Sequence, residues 1–276
     1  MKSAKAKTEI QHYYTNSVAE EWERLTKDPL RVLEYKTTVK YMRKYMPKHG
    51  TVLDAGCGPG MYSLGLAKSG YDIVMLDLTP ANLEFAMGQI RKAKLSRRVK
   101  QSVQGQIEDL SGFKSGTFDV VICLGGPLSH VMDRRSRDRA AAELVRVAKP
   151  GAPIFVSVMN RIPFILSLLK VFRDEVDSSY FKAIIKSGDY TGGLGFTPFH
   201  AFLPDELMQT FKSNGVEVLG GIGLEGFGTY TEDEIRNLYR NKAKWHEWIA
   251  THDKFSKDPY AASGSNHMLI ICRKRK

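Results

Sequence analysis

Residues 52-VLDAGCGPG-60 decide how the rest of the chain is read. A short apolar run, Val52 to Ala55, leads into three glycines, Gly56, Gly58 and Gly60. Glycine adopts positive φ without a steric penalty and leaves no Cβ between backbone and ligand. A strand, a tight glycine turn and a helix together cradle a nucleoside-containing cofactor. Twenty-one residues after Gly56, the run 72-DIVMLD-77 ends in Asp77, whose carboxylate can accept from both hydroxyls of a ribose. The dinucleotide fingerprint wants its third glycine at position 61, where this chain has Met61. The compact D-x-G-x-G-x-G spacing suits a ligand without a pyrophosphate, and Asp54 is placed to meet a cationic amino group. A nicotinamide-dependent dehydrogenase is disfavoured on that spacing.

Outward from this motif, apolar runs alternate with helix-like stretches. The runs are 51–55, 72–77, 99–105, 118–124 and 153–158, followed later by 216–224 and 267–273. They are rich in Val and Ile and nearly continuous in hydrophobicity, as strands buried on both faces of a parallel sheet should be. Helices are expected at Met61–Ser69, at Ala81–Ala93 behind Thr79-Pro80, at Arg137–Ala148 and at Pro204–Ser213. Three segments fall outside this rhythm. Residues 1–48 read as a helical lid; 159–203 and 225–266, the latter with a helix from Glu232 to Thr251, read as insertions into a domain spanning 49–276. All three are candidates for a substrate lid, because insertions gather where ligands bind.

The net charge is +11, with basic stretches at the N-terminus, at 91–100, 133–139 and 273–276. That favours contact with polyanions but says nothing about fold. Cys57, Cys123 and Cys272 show neither metal-ligand spacing nor a disulfide framework, and read as buried thiols in a reducing compartment. No apolar run reaches the roughly 18 residues that span a bilayer, and the N-terminus lacks a secretory apolar stretch. A cytoplasmic protein without a membrane partner is expected, as a monomer or a homodimer.

The glycine motif, Asp77 and the strand rhythm together resemble the class I S-adenosylmethionine-dependent methyltransferases, most closely the ubiquinone/menaquinone-biosynthesis-like group. The resemblance covers about residues 12–224 and the last strand. It implies an α/β, Rossmann-like, doubly wound sheet of seven strands, mostly parallel with an antiparallel last strand. It implies S-adenosyl-L-methionine as cofactor and S-adenosyl-L-homocysteine as product. The family's G-D-A-x-D-L pattern reads 105-GQIEDL-110 here, so Gln106 and Ile107 would flank the adenine, with Gln106 replacing the usual Asp. By the same match Asp54, Gly56, Gly58, Gly60, Asp77, Leu78 and Leu124 would contact the cofactor. The stretch 14-YTNSVAEEW-22 is similar to the family's N-terminal lid, bringing Tyr14 to the cofactor and Trp22 to the substrate.

Methyl transfer from a sulfonium needs alignment, exclusion of water and, for a hydroxyl or protonated amine, removal of a proton. His130, after the Gly125-Gly126-Pro127 turn at the end of the fourth strand, is the leading candidate base. A ring that caps a helix or bonds a backbone carbonyl is an equal alternative. His200 is a second candidate, while Ser129, Asn160 and His267 are candidate substrate contacts. Arg31 and Glu34 share a helical face and read as a solvated ion pair. No metal cluster is expected. The acceptor is expected to be a small molecule methylated on O, N, S or C. An RNA or protein methyltransferase, favoured by the charge, and a non-catalytic cofactor binder are the rivals. The turn Leu124-Gly125-Gly126-Pro127 lacks the [DNS]-P-P-[YFW] grip of base-amino methyltransferases, and no RNA-binding module is recognisable.

Overall fold

The computed structural model describes residues 2–191 and 196–276, with the backbone alone for residues 2–4. Three helices come first: α1 (Lys2–Asn16), α2 (Val18–Lys27) and α3 (Pro29–Tyr45). The break before α3 is chemical. Asp28 accepts from the N–H groups of Leu30 and Arg31, and Pro29 supplies the first helical residue. The α/β body follows as β1 (Thr51–Ala55), α4 (Met61–Lys68), β2 (Asp72–Asp77), α5 (Pro80–Lys92), β3 (Val99–Gln104), β4 (Val120–Cys123), α6 (Arg134–Val147) and β5 (Pro153–Met159). Then come α7 (Arg161–Val171), α8 (Ser179–Ser187), a small hairpin β6 (Asp189–Tyr190) and β7 (Phe199–His200), and α9 (Pro204–Lys212). The chain finishes with β8 (Val216–Gly223), α10 (Glu232–Tyr239), α11 (Lys242–Phe255), α12 (Pro259–Gly264) and β9 (His267–Lys274).

The main sheet runs β3-β2-β1-β4-β5-β9-β8. Strands β1 to β5 are mutually parallel, and β9 is antiparallel to both β5 and β8. This is the Rossmann-like doubly wound sheet with one reversed strand. Its central strands are buried because both faces are covered. Leu53, Val121 and Val156 pack toward Ala140, Leu144 and Phe211, while Val52, Ile73 and Val120 pack toward Leu66, Ala86 and Tyr41. Strand order reverses between β1 and β4, and a crevice at the carboxyl ends of the strands is where such sheets bind ligands.

Two expectations change. The helix expected over Glu232–Thr251 breaks in two, because Asn241 turns outward and its side chain caps α11 by accepting from Lys244 N. The segment 225–266 does not cover the crevice either. Its Ile235 and Trp245 bury against Leu30, Val32 and Leu33, so it props α3 from behind. The segment 159–203 divides its work: Leu168, Phe181, Ile184, Tyr190 and Phe199 build a small core of their own, and Phe196 packs behind His130, which lines the crevice.

Candidate active site

The crevice encloses about 1030 Å³ of space counted out to its open mouth. Its floor is the glycine turn. Gly56, Gly58 and Gly60 all have positive φ (83°, 52° and 86°), but they serve different ends. A Cβ on Gly56 would lie 2.4 Å from the Pro127 ring, and one on Gly60 would lie 2.6 Å from the Ala86 methyl. Those two glycines let the turn pack against its neighbours. A Cβ on Gly58 would meet nothing within 4 Å, so of the three only Gly58 leaves open space above its Cα in the crevice lining.

Asp77 holds that turn. Its Oδ2 accepts from Gly58 N at 2.7 Å, and its Oδ1 accepts from Thr79 N at 2.8 Å and Asn82 Nδ2 at 3.1 Å. Burial pushes its pKa up against the pull of these three donors. Of the roughly four lone-pair sites on a carboxylate, three are taken. The expectation that Asp77 accepts from both ribose hydroxyls therefore narrows to one. Beside it, Asn82 Oδ1 is buried in the crevice wall with no hydrogen-bond partner.

Asp54 does not face the crevice. It is 1% exposed behind the turn, accepting from Ser63 Oγ at 2.6 Å, and burial raises its pKa to about 7. The charged groups that do line the crevice at this end are Glu21 and Arg24 of α2. Arg24 is bound by Glu21 at 3.2 Å and by Glu34 at 2.8 Å. Burial works against its charge, but Glu34 and Glu21 outweigh burial and hold its pKa above the ordinary value. Its Nη2 also donates to Glu34 Oε1 at 3.4 Å and lies beside Gly125.

At the other end stand Leu78, Gln106, Ile107 and Glu108, covered by α1. Lys7 Nζ lies 2.5 Å from Gln106 Oε1 and 2.7 Å from Glu108 Oε1, and Gln11 Nε2 donates to Leu78 O at 3.1 Å. Leu124 lines the middle. There Tyr14 Oη lies 2.8 Å from His130 Nε2, and His130 Nδ1 lies 3.0 Å from Pro198 O. A carbonyl only accepts, so Nδ1 carries the proton and Nε2 accepts from the Tyr14 hydroxyl. Burial pushes the ring's pKa down to about 4, which keeps it neutral. Tyr14 and His130 meet edge to face in the crevice wall, and Tyr13 and Phe196 back them from outside the lining.

Five other expected site residues lie elsewhere. Trp22 rests on Phe85 of α5, with ring centroids 5.6 Å apart, outside the crevice lining. Ser129 is fully buried and accepts from Met159 N, so it ties the turn before α6 to β5. Asn160 donates to the carbonyls of Ala262 and Ser263 and pins α12. His200 is 1% exposed between Asp189 and Glu206, each 2.7 Å away, and joins the β6–β7 hairpin to α9. His267 sits in a buried cluster with Glu34 and Glu225. Arg31 Nη1 lies 3.0 Å from both His267 Nδ1 and Glu225 Oε1 and 3.4 Å from Glu34 Oε2, so a guanidinium occupies the place a metal would take. Arg31 and Glu34 are thus no solvated pair: Glu34 is wholly buried, and although burial opposes it, Arg24, His267 and Arg31 bring its pKa down to about 2. Arg24, Asn82 and Lys7 were missed because each enters the crevice from a different element, where no local motif signals it.

A family model described as a methyltransferase domain matches residues 52–151. That match takes in the glycine turn, Asp77 and Gln106. The chain is 31% identical over 177 residues to a ubiquinone biosynthesis O-methyltransferase of Bordetella avium, covering 63% of this chain and 65% of that protein. It is 35% identical over 125 residues to the protein of the same name from Xanthomonas axonopodis pv. citri, covering 45% of this chain and 49% of that one. The chain thus matches 65% and 49% of the length of these two curated relatives. A SAM-dependent methyltransferase of Methanosarcina mazei superposes with a TM-score of 0.60 at 21% identity, over 85% of this chain and 97% of that one, and shows the shared fold.

Proposed function

We propose that the chain transfers the methyl group of S-adenosylmethionine to an oxygen of a small, partly aromatic acceptor. One observation carries this reading: the glycine turn with Asp77 and the His130–Tyr14 pair open into the same crevice. The residues present fit the cofactor. Gly58 leaves open space at the turn, and Asn82 Oδ1 is an orphaned buried acceptor beside the one spare site on Asp77. Those two acceptors suit two ribose hydroxyls. Arg24 and Glu21 suit the carboxylate and ammonium of the methionine moiety, the role expected of Asp54. Gln106, Ile107 and Leu78 suit the adenine, with Lys7 above them.

When bound, the cofactor supplies a sulfonium-activated methyl group, so the protein has no electrophile to make. The chain's own task is to orient an acceptor and take a proton. Pro198 O fixes the tautomer of His130 and leaves Nε2 as an acceptor. An acceptor hydroxyl that takes the place of the Tyr14 hydroxyl can pass its proton to Nε2. A base as weak as this one suffices because the oxygen becomes strongly acidic as it gains the methyl group. Tyr14 and His130, backed by Tyr13 and Phe196, offer an aromatic wall to a planar acceptor, in keeping with the O-methyltransferase relatives. The three cysteines are buried free thiols, which suits the reducing cytosol.

The test incubates the purified chain with tritiated S-adenosylmethionine and catechols, phenols, amines, thiols or bulk RNA. Label on a phenolic oxygen is the expected result. Label confined to RNA or to the protein itself would replace this reading with the macromolecular one.

A further inference from the structure

Among the described residues, every large apolar side chain that stands exposed lies in 159–203 or 225–266. The α/β body contributes none. On α7, Ile162, Leu166 and Leu169 are 42%, 41% and 49% exposed at spacing i, i+4, i+7, which is one helical face. The same helix turns Leu168 inward onto Phe181 and Ile184 of α8. Helix α12 touches both α7 and the turn at Gly226–Tyr230. It presents Tyr260, 84% exposed, while the turn presents Phe227 against Phe255. The exposed groups thus follow one run of neighbouring elements.

Cations rim this run. Lys170 and Arg173 are exposed at the end of α7, Lys182 and Lys186 on α8, and Lys254 stands 5.6 Å over the Phe255 ring. Asp174 and Asp177 are the exposed anions between α7 and α8, so cations prevail. We propose that this face is an interfacial docking surface for an anionic bilayer, with α7 and Tyr260 in the headgroup layer and the lysines on lipid phosphates. An apolar helix face edged by Lys, Arg and Tyr is what such an interface selects. A second copy of the chain fits less well, because an isologous contact would set the same lysines against one another. No helix among the described residues is long and apolar enough to cross a membrane, so the chain would lie on the surface. The proposal departs from the expectation of no membrane partner, and it stands independently of the proposed transfer reaction.

The test is flotation of the full chain with vesicles of phosphatidylcholine alone or of an equimolar mixture with phosphatidylglycerol. Binding is expected to the mixed vesicles and to weaken as salt rises. Leu166→Ser with Leu169→Ser, and separately Lys182→Ala with Lys186→Ala, should each reduce partitioning roughly tenfold or more. Both variants should keep the wild-type melting temperature and affinity for S-adenosylhomocysteine. No flotation with the mixed vesicles would overturn the proposal, as would flotation unchanged in whichever variant folds. A solution dimer that the leucine variant splits, with no vesicle binding, would assign the face to self-association instead.

Discussion

At the residue scale, the cofactor end of the crevice divides into what one segment encodes and what several must assemble. The three glycines and Asp77 were legible because strand, turn and strand end lie within a stretch of 26 residues, 52–77, of fixed geometry. Asp54 belongs to the same stretch, yet strand alternation turns it inward onto Ser63, a direction that spacing alone does not reveal. Removing Asp77 should be costly, since it holds Gly58, Thr79 and Asn82 and is proposed to accept from a ribose hydroxyl. Asp77→Ala is expected to weaken S-adenosylhomocysteine binding by about 2–3 kcal/mol, and Asn82→Ala by about 1 kcal/mol, read by calorimetry. If Asn82→Ala bound as tightly as wild type, the orphaned amide oxygen would have no part in the site. His130→Ala should leave that affinity unchanged and lower turnover by about 100-fold. Full turnover would reduce the ring to a prop for the Pro198 backbone.

At the element scale, α1 and the turn after Asp28 show how helices that precede the sheet complete the site. Lys7, Ile10 and Tyr14 line the crevice at intervals of three and four, so one face of α1 closes it. The helical nature of residues 1–48 could be read from pattern, and the aromatic at Tyr14 pointed to a lid. Which helix face turned inward depended on partners more than 60 residues away, such as Leu78 and His130. A chain lacking residues 1–16 is therefore expected to keep its cooperative melt, read by circular dichroism, while losing most of its S-adenosylhomocysteine affinity. Retained affinity would mean that α1 covers the crevice without contributing to it. Asp28→Ala removes the cap that starts α3 and should cost about 1 kcal/mol in denaturant melts. The tasks of 159–203 and 225–266 were not legible in the sequence. Only packing shows that 225–266 buttresses α3 through Trp245, where the sequence suggested a lid.

At the scale of the whole molecule, α/β alternation announced the sheet because parallel strands covered on both faces must be apolar throughout. Strand β3 shows the same rule from the other side: at the sheet edge its run VKQSVQ is polar and half exposed. The insertions pack on this scaffold through buried polar contacts that titrate. His252, hydrogen-bonded to Thr37 Oγ1 at 3.0 Å, joins α11 to α3, and burial lowers its pKa from 6.5 to about 4. The unfolded chain therefore binds the extra proton between those values. The His252 contribution is complete above pH 6.5 and is lost as pH falls toward 4. His252→Gln should flatten the stability–pH profile in that window by about 1.4 kcal/mol per pH unit relative to wild type. Parallel profiles would show that the ring titrates as it does in water. The central claim, a crevice built for S-adenosylmethionine, is tested most directly by calorimetric titration with S-adenosylhomocysteine, with NADH as control. Saturable binding of S-adenosylhomocysteine alone, weakened in Asp77→Ala, is the predicted result. Binding of NADH with no response to S-adenosylhomocysteine would contradict the account.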